Sequence, residues 1–378
     1  MQEWFSRPGT AEIKPLTGLR GVAALLVATY HFRWIDEGPG YALFSRGYLW
    51  VDVFFVLSGF VMSMTYGNVF SRRWSFADFR SFINRRLARI YPLYFVLTAL
   101  AVPFFLAFPY PGIDLRGSAF VVMVVANLAL VSAWHICKNL IFPAWSVSAE
   151  FAAYLVFPFL VPFLRDARRM AILAAGAVIL LGLVATFDQI DYREIASLRD
   201  GFDGRTVQPV FRCLGGFILG MICFRLYAGR RVSAVAGSTV FGLMTFALFA
   251  AGSIAGVPDL VLYPLFPAMV VAVAADKGIV SRFLSSRPVY YAGLLSYSLY
   301  MLHVGFLPVS RAVHRVAFQH FPPVVAQALT MVVVYGSLLV AAAVAYHVVE
   351  VPARRWLRNA PPWATPAREY PGAEPRRL

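Results

Sequence analysis

The fold class this chain predicts is an all-α, polytopic membrane bundle of about ten transmembrane helices plus one re-entrant or broken element. Three observations predict it. Hydrophobic residues make up 60% of 378 and charged ones 14%, against about 45–50% and 25% in soluble domains. Apolar runs of about 17–25 residues follow one another along nearly the whole chain, with no strand alternation to compete. Basic residues cluster between the runs, where charge sets membrane topology.

The runs begin near Leu16, Tyr48, Ile90, Gly117, Trp145, Met170, Pro209, Val232, Leu260, Val289 and Pro323. The basic clusters are Arg72 to Arg89, Arg165 to Arg169, Arg225 to Arg231, Lys277 to Arg287 and Arg354 to Arg358. If all five face the cytoplasm, each neighbouring pair must be separated by an even number of crossings. The interval from Arg89 to Arg165 holds three runs, so one of them must enter and leave on the same side. Gly117 to Trp134, with His135 to Ala144 behind it, is assigned as that broken element. Irregular backbone at such depth is tolerated only when buried in protein, so the element should line the site. Ten crossings then leave both termini cytoplasmic.

Residues 1–15 form a cytoplasmic segment, 16–358 one transmembrane domain, and 359–378 a tail whose proline and charge content predicts disorder. The first fifteen residues lack the order of a cleaved signal peptide, so the first run is expected to remain as a helix. The net charge of +15, from 31 Arg and 3 Lys against 19 acids, has no soluble basic domain to carry it to nucleic acid. It is read as topology and phosphate contact. Cys137, Cys213 and Cys223 are too scattered for a disulfide framework or a metal site.

The first run carries the informative pair. Arg20 and His31 stand roughly 16 Å apart along a helix axis, about half the depth of a hydrocarbon core. Either alone has a bland reading, a snorkelling arginine or a histidine bonded to a neighbouring helix. The expected depths of the other polar residues favour a functional one. His31, Asp52, Glu150 and His303 fall in the outer half, and Arg20, Arg85, Arg86, Arg89 and Glu350 at the inner edge. A histidine beside a carboxylate, Asp52 or Glu150, is the arrangement of a general base with its orienting group.

The stretch RRWSFADFRSFINRRLARIYPLY, Arg72 to Tyr94, reads both as an interfacial amphipathic helix and as a phosphate clamp, two compatible roles. Glu150, in WSVSAE, has an ion pair with Arg212 as its structural alternative. His303, in LSYSLYMLHV, has that of a satisfied core histidine. Glu350 is expected to hold Arg20 or Arg354. No Gly-rich phosphate loop, G-x-S-x-G elbow, H-E-x-x-H or paired cysteine motif occurs, which argues against an ATP-driven pump, a serine hydrolase and a zinc protease.

Six stretches in order, PLTGLRGVAALLVATYHF, GYLWVDVFFVLSGFVMS, RRLARIYPLY, PAWSVSAEF, SYSLYMLH and VVEVPARRW, resemble the successive motifs of the membrane acyltransferase-3 family. The resemblance covers Leu16 to Trp356. It implies transfer of an acyl group, acetyl foremost, from cytoplasmic acyl-CoA to a hydroxyl of an extracytoplasmic carbohydrate or glycolipid. It also implies a multi-pass protein of the bacterial inner membrane with no tightly bound cofactor, and a catalytic role for the pair matched by Arg20 and His31. Thr17 departs from the family's acidic residue, Ala149 from a common neighbour of Glu150, and Trp50 from a glycine, which should narrow the site. Many relatives carry a fused hydrolase-like domain, for which this chain is expected to have no room.

On this reading Arg85, Arg86 and Arg89 hold the adenosine phosphates while Arg20 guides the pantetheine arm. His31, oriented by Asp52 or Glu150, acts as base or acyl carrier. Trp145, Tyr300 and His303 complete the substrate contacts. The rival readings are a transporter or flippase of a lipid-linked sugar and a structural subunit without chemistry.

Overall fold

The computed structural model describes residues 12–32, 38–71, 73–108, 117–187, 207–228, 233–275 and 278–359, and every regular element among them is helical. Residues 1–11, Arg72 and the tail from residue 360 onward lie outside the described residues. The helices used below are α1 (Lys14–Phe32), α2 (Trp50–Phe70), α3 (Phe76–Ala107), α4 (Gly117–Leu128), α5 (Ala144–Leu160), α6 (Ala167–Phe187) and α7 (Gln208–Ala228). They continue with α8 (Thr239–Ile254), α9 (Leu265–Ala274), α10 (Arg287–Leu294), α11 (Ser296–Leu302), α12 (Leu307–His320), α13 (Pro323–Ala345) and α14 (Val351–Asn359).

Six described helical stretches are long and apolar enough to cross a bilayer, and a seventh results if α10 and the helix behind it, bent by 59°, count as one span. This makes the chain a multi-pass membrane protein, in which not every one of the ten expected crossings is a full-length apolar helix among the described residues. Apolar content predicts a continuous helix, but several runs are interrupted. The run from Leu260 breaks at Tyr263 and Pro264 before α9. That from Val289 divides into α10, α11, a short 3₁₀ turn and α12. The arginine-rich stretch and the run from Ile90 instead fuse into the 32-residue α3. At about 48 Å, α3 outlasts a hydrocarbon core of about 30 Å, which leaves its basic first turns at the edge of that layer. A Ser75–Asp78 capping box starts it, with Asp78 N–H donating to Ser75 Oγ at 3.2 Å and Ser75 N–H to Asp78 Oδ2 at 2.9 Å.

Helix α1 is not among the six, since Lys14, Arg20 and His31 interrupt an otherwise small and apolar sequence. It lies in the middle of the bundle, with Leu19, Ala23, Ala24, Val27 and Ala28 buried. Small residues let neighbours approach closely: a Cβ on Gly21 would run into the backbone of Ala292 and Gly293 on α10, and one on Gly293 into the Thr17 carbonyl. Helices α2 and α7 cross in the same way, Gly59 against the Phe217 carbonyl and Gly220 against that of Val56. These contacts fix α1 against α10 and α2 against α7.

The stretch expected to be broken is broken. After α4 the chain runs without regular helix to Pro143, with Leu130 and His135 at φ of 61° and 64°. Its backbone is satisfied from inside the protein, as its depth demands. The buried Asn127 amide donates to the carbonyls of Met123 and Lys138 at 2.8 and 2.9 Å and accepts the Leu140 N–H at 3.0 Å. Ser148 on α5 donates to the Leu130 carbonyl at 2.8 Å and accepts from Ala133 N–H at 3.1 Å. Tyr94 and Tyr91 of α3 cap the carbonyls of Asn127 and Leu128.

Candidate active site

Two cavities meet inside this bundle. The larger, about 140 Å³, lies between α1, α2, α3, α5 and α11 and is lined by Arg20, Arg86, Arg89 and Glu150 among others. The smaller, about 30 Å³, surrounds His31 and is walled by Tyr30, Tyr48, Phe142, Pro143, Trp145, Arg212 and His303. Val51 and Tyr300 line both. The arginine and the histidine of α1 therefore open onto different chambers that share one partition.

Three contacts, taken together, assign the imidazole tautomers. Nδ1 of His303 lies 2.5 Å from the Tyr300 carbonyl, which can only accept, so that nitrogen carries the proton. Nε2 of His303 is left as an acceptor, and it lies 3.2 Å from Nδ1 of His31. The same His31 Nδ1 lies 2.8 Å from the Val27 carbonyl, so it too carries a proton, shared between the two acceptors. The lone pair of His31 then sits on Nε2, which is the form a base or nucleophile needs. The Tyr30 and Phe142 rings meet the imidazole edge-on at 4.9 and 5.5 Å.

Neither carboxylate expected to orient His31 does so. Asp52, fully buried on the first turn of α2, is forked by Arg212 of α7: Nε donates to Oδ1 at 2.8 Å and an Nη to Oδ2 at 2.5 Å. The Tyr263 hydroxyl donates to the same Oδ1 at 3.2 Å. A buried carboxylate takes a bidentate guanidinium in preference to one imidazole N–H, because the fork satisfies both oxygens at once. The alternative pairing of Glu150 with Arg212 falls with this. Glu150 lines the larger cavity, together with Arg20, Arg86 and Arg89. It follows Val147 and precedes Tyr154 on one face of α5, at the spacing of helix turns. His303, expected as a substrate contact, occupies the orienting position.

The arginines divide as well. Arg86 and Arg89 line the large cavity, whereas Arg85 is not among its walls and donates to Ser81 at 2.7 Å, one turn back on its own helix. Arg86 donates to the Tyr66 hydroxyl at 3.1 Å and lies over that ring, while its buried Nε makes no hydrogen bond to any described residue. Glu350 is fully buried and pairs with Arg354 and Ser298, one of the two partnerships expected for it. Trp50 packs against Phe246 and Phe249 of α8 and lines neither cavity, so it does not narrow the site. Thr17 donates to Glu12 at 3.1 Å, which brings a carboxylate beside the position where the acid is missing.

Trp145, Tyr300 and His303 all stand around His31 as expected. Sequence reasoning missed Tyr30, Tyr48 and Phe142 as walls, and Arg212 as the cation that holds Asp52 and lies 5.7 Å from the Trp145 ring centre. A lone arginine within the apolar run of α7 was the available signal for the last of these. Among the described residues no group of His, Cys, Asp and Glu could hold a metal ion.

Several known proteins are similar to this chain in sequence. Acyltransferase MdmB of Streptomyces mycarofaciens is 37% identical over 187 residues, 45% of this chain and 45% of its own length. Protein 2 in the picA locus of Rhizobium radiobacter is 32% identical over 187 residues, 46% of this chain and 94% of its own. O-acetyltransferase OatA of Staphylococcus aureus is 25% identical over 313 residues, 76% of this chain and 49% of its own. The chain thus spans about half the length of MdmB and of OatA where it matches them. No solved structure matches the chain. A family model described as an acyltransferase domain matches residues 13–347, nearly the whole bundle and both cavities within it, and the chain belongs to that family, acyltransferase-3.

Proposed function

We propose that the protein is a membrane O-acyltransferase that moves an acyl group, acetyl foremost, from acyl-CoA to a hydroxyl of a carbohydrate or glycolipid. The observation that carries this reading is the pair of chambers on one helix, arginines in one and an imidazole with its Nε2 lone pair in the other. Arg86 and Arg89 receive the phosphates of the donor, for which the unbonded, buried Arg86 Nε is suited. Arg20 guides the pantetheine arm toward Tyr300. At the partition the acceptor hydroxyl oxygen attacks the acyl carbonyl carbon while His31 Nε2 takes its proton. The carbon–sulfur bond breaks, and the proton passes to the departing thiolate, releasing free CoA. Glu150 faces the donor side and plays no part in orienting His31.

The sidedness follows the same reading. The arginine chamber opens toward the cytoplasm, where acyl-CoA is made, and the histidine chamber toward the other face of the bacterial inner membrane. The positive-inside distribution of Arg73, Arg80, Arg85, Arg86 and Arg89 supports that orientation.

Purified protein in vesicles, given radiolabelled acetyl-CoA and a carbohydrate acceptor, tests the reading directly. Free CoA should appear together with label in the carbohydrate, and His31→Ala should abolish both while the protein stays folded and inserted. Movement of a lipid-linked sugar without CoA release would instead establish a transporter, and near-normal turnover by His31→Ala would remove the proposed base.

A further inference from the structure

We propose that the chamber around His31 is a size filter that admits an acetyl group and discriminates against longer acyl groups, with the Tyr300 ring and Val51 as its inner wall. The inference rests on the acyltransferase reading and adds what limits the donor.

The volumes set the limit. About 10–15 Å³ of this kind of space holds one water, so the chamber of about 30 Å³ takes two or three groups of that size. An acetyl group, two carbons and one oxygen, matches it. A propionyl group overfills it by one methylene, and a butyryl group must displace a wall. The larger cavity, about 140 Å³, has no such limit and can hold the pantetheine arm.

The walls are held in place. Ser146 Oγ donates to the Pro143 carbonyl at 3.0 Å, so its lone pair is what accepts the Tyr300 O–H at 2.8 Å. That bond ties the ring on α11 across to the first turn of α5. His303 Nδ1 is bonded to the carbonyl of Tyr300 itself, which anchors the backbone of the same residue. On the far side Trp145 lies against Arg212, which Asp52 fixes through two hydrogen bonds. Aromatic walls clamped by buried polar contacts do not yield to an added methylene as a loose aliphatic pocket would. Single-methylene discrimination in such pockets runs from about 10- to 200-fold.

The test is a donor series, acetyl-, propionyl-, butyryl- and hexanoyl-CoA, read as free thiol released and acyl group found in the carbohydrate. The wild-type protein should favour acetyl over butyryl by about a hundredfold or more in kcat/KM. Tyr300→Leu and Val51→Ala, each of which cuts back the shared wall, should each raise the butyryl-to-acetyl ratio about tenfold. Ser146→Ala, which frees the ring without shrinking it, should raise the ratio less than either. The ratio is the proper readout because a folding defect lowers all donors together. Equal use of acetyl and butyryl by the wild type, or ratios unmoved in both wall variants, would overturn the filter while leaving acyl transfer intact. Absence of CoA release by the wild type with every donor would overturn the acyltransferase reading, and the filter with it.

Discussion

Nε2 of His303 lies 3.2 Å from Nδ1 of His31, and this contact joins α1 to the end of α11 through two imidazoles and no carboxylate. A neutral acceptor does what Asp52 or Glu150 was expected to do. It receives the Nδ1 proton and so leaves the lone pair on the opposite nitrogen. Unlike a carboxylate it adds no negative charge to a site where, on the proposed mechanism, a thiolate forms.

His303→Ala should therefore impair catalysis without removing the base. We expect kcat to fall about 10- to 100-fold, less than the loss in His31→Ala, which should reach at least about 100-fold. His303→Gln, whose side-chain oxygen can accept the same proton, should recover part of the rate. Steady-state rates of CoA release, with donor KM nearly constant across the three variants, are the measurement. Equal rates for His303→Ala and His303→Gln would show that acceptance of the proton is not what His303 supplies.

The arginines make a sharper contrast than their spacing suggests. Arg85 and Arg86 are neighbours, but a helix turns about 100° per residue and only Arg86 reaches the cavity. Replacing Arg86 or Arg89 by alanine should raise the KM for acyl-CoA about tenfold each. Arg85→Ala should change it less than twofold, since Arg85 is not among the walls of that cavity. Titration of acyl-CoA against each purified variant checks both halves.

Much of this site was legible in the sequence, and the residues that were not share one cause. The Arg20–His31 helix could be read because ionisable groups at membrane depth stand out against an apolar run. The irregular stretch from residue 129 to Pro143 could be read because an odd number of runs between basic clusters leaves one unpaired. The partner of Asp52 could not. Helix α2 is apolar on nearly every side, so nothing in its sequence says whether Asp52 faces α1 or α7. The cavity that Glu150 lines could not be read either, because its distance from the start of α5 does not say which way the side chain faces. Trp145 and Ser146, adjacent at that start, already line different cavities. The ten crossings cannot be matched helix by helix, because composition does not register the breaks at Pro264 and within α10 to α12.

The Asp52–Arg212 pair should behave as a buried clamp. Asp52→Ala or Arg212→Ala leaves a charge without its partner in the protein interior, a loss of about 3–5 kcal/mol. Thermal unfolding in detergent should register it. The double replacement Asp52→Leu with Arg212→Met restores apolar packing and should recover most of that stability. It should not recover turnover, because Trp145 loses the guanidinium against which it rests. Full activity in the double variant would show that the pair is purely structural.

Asn127 is the last test, because a single side chain holds the irregular stretch together. It is 1% exposed, donates to two carbonyls and accepts one N–H from the segment that follows α4. Asn127→Ala strands the Lys138 carbonyl and the Leu140 N–H, each at about 1–3 kcal/mol when no water can reach them. Asn127→Asp keeps an acceptor for the Leu140 N–H but sets a buried carboxyl group against the Met123 and Lys138 carbonyls, so it should destabilise at least as much as the alanine variant. Phe142 and Pro143, two and three residues beyond Leu140, are walls of the His31 chamber. Loosening the stretch should therefore lower kcat as well as the unfolding temperature. If Asn127→Ala lowers the unfolding temperature but leaves kcat untouched, the wall formed by Phe142 does not depend on this hydrogen-bonded loop.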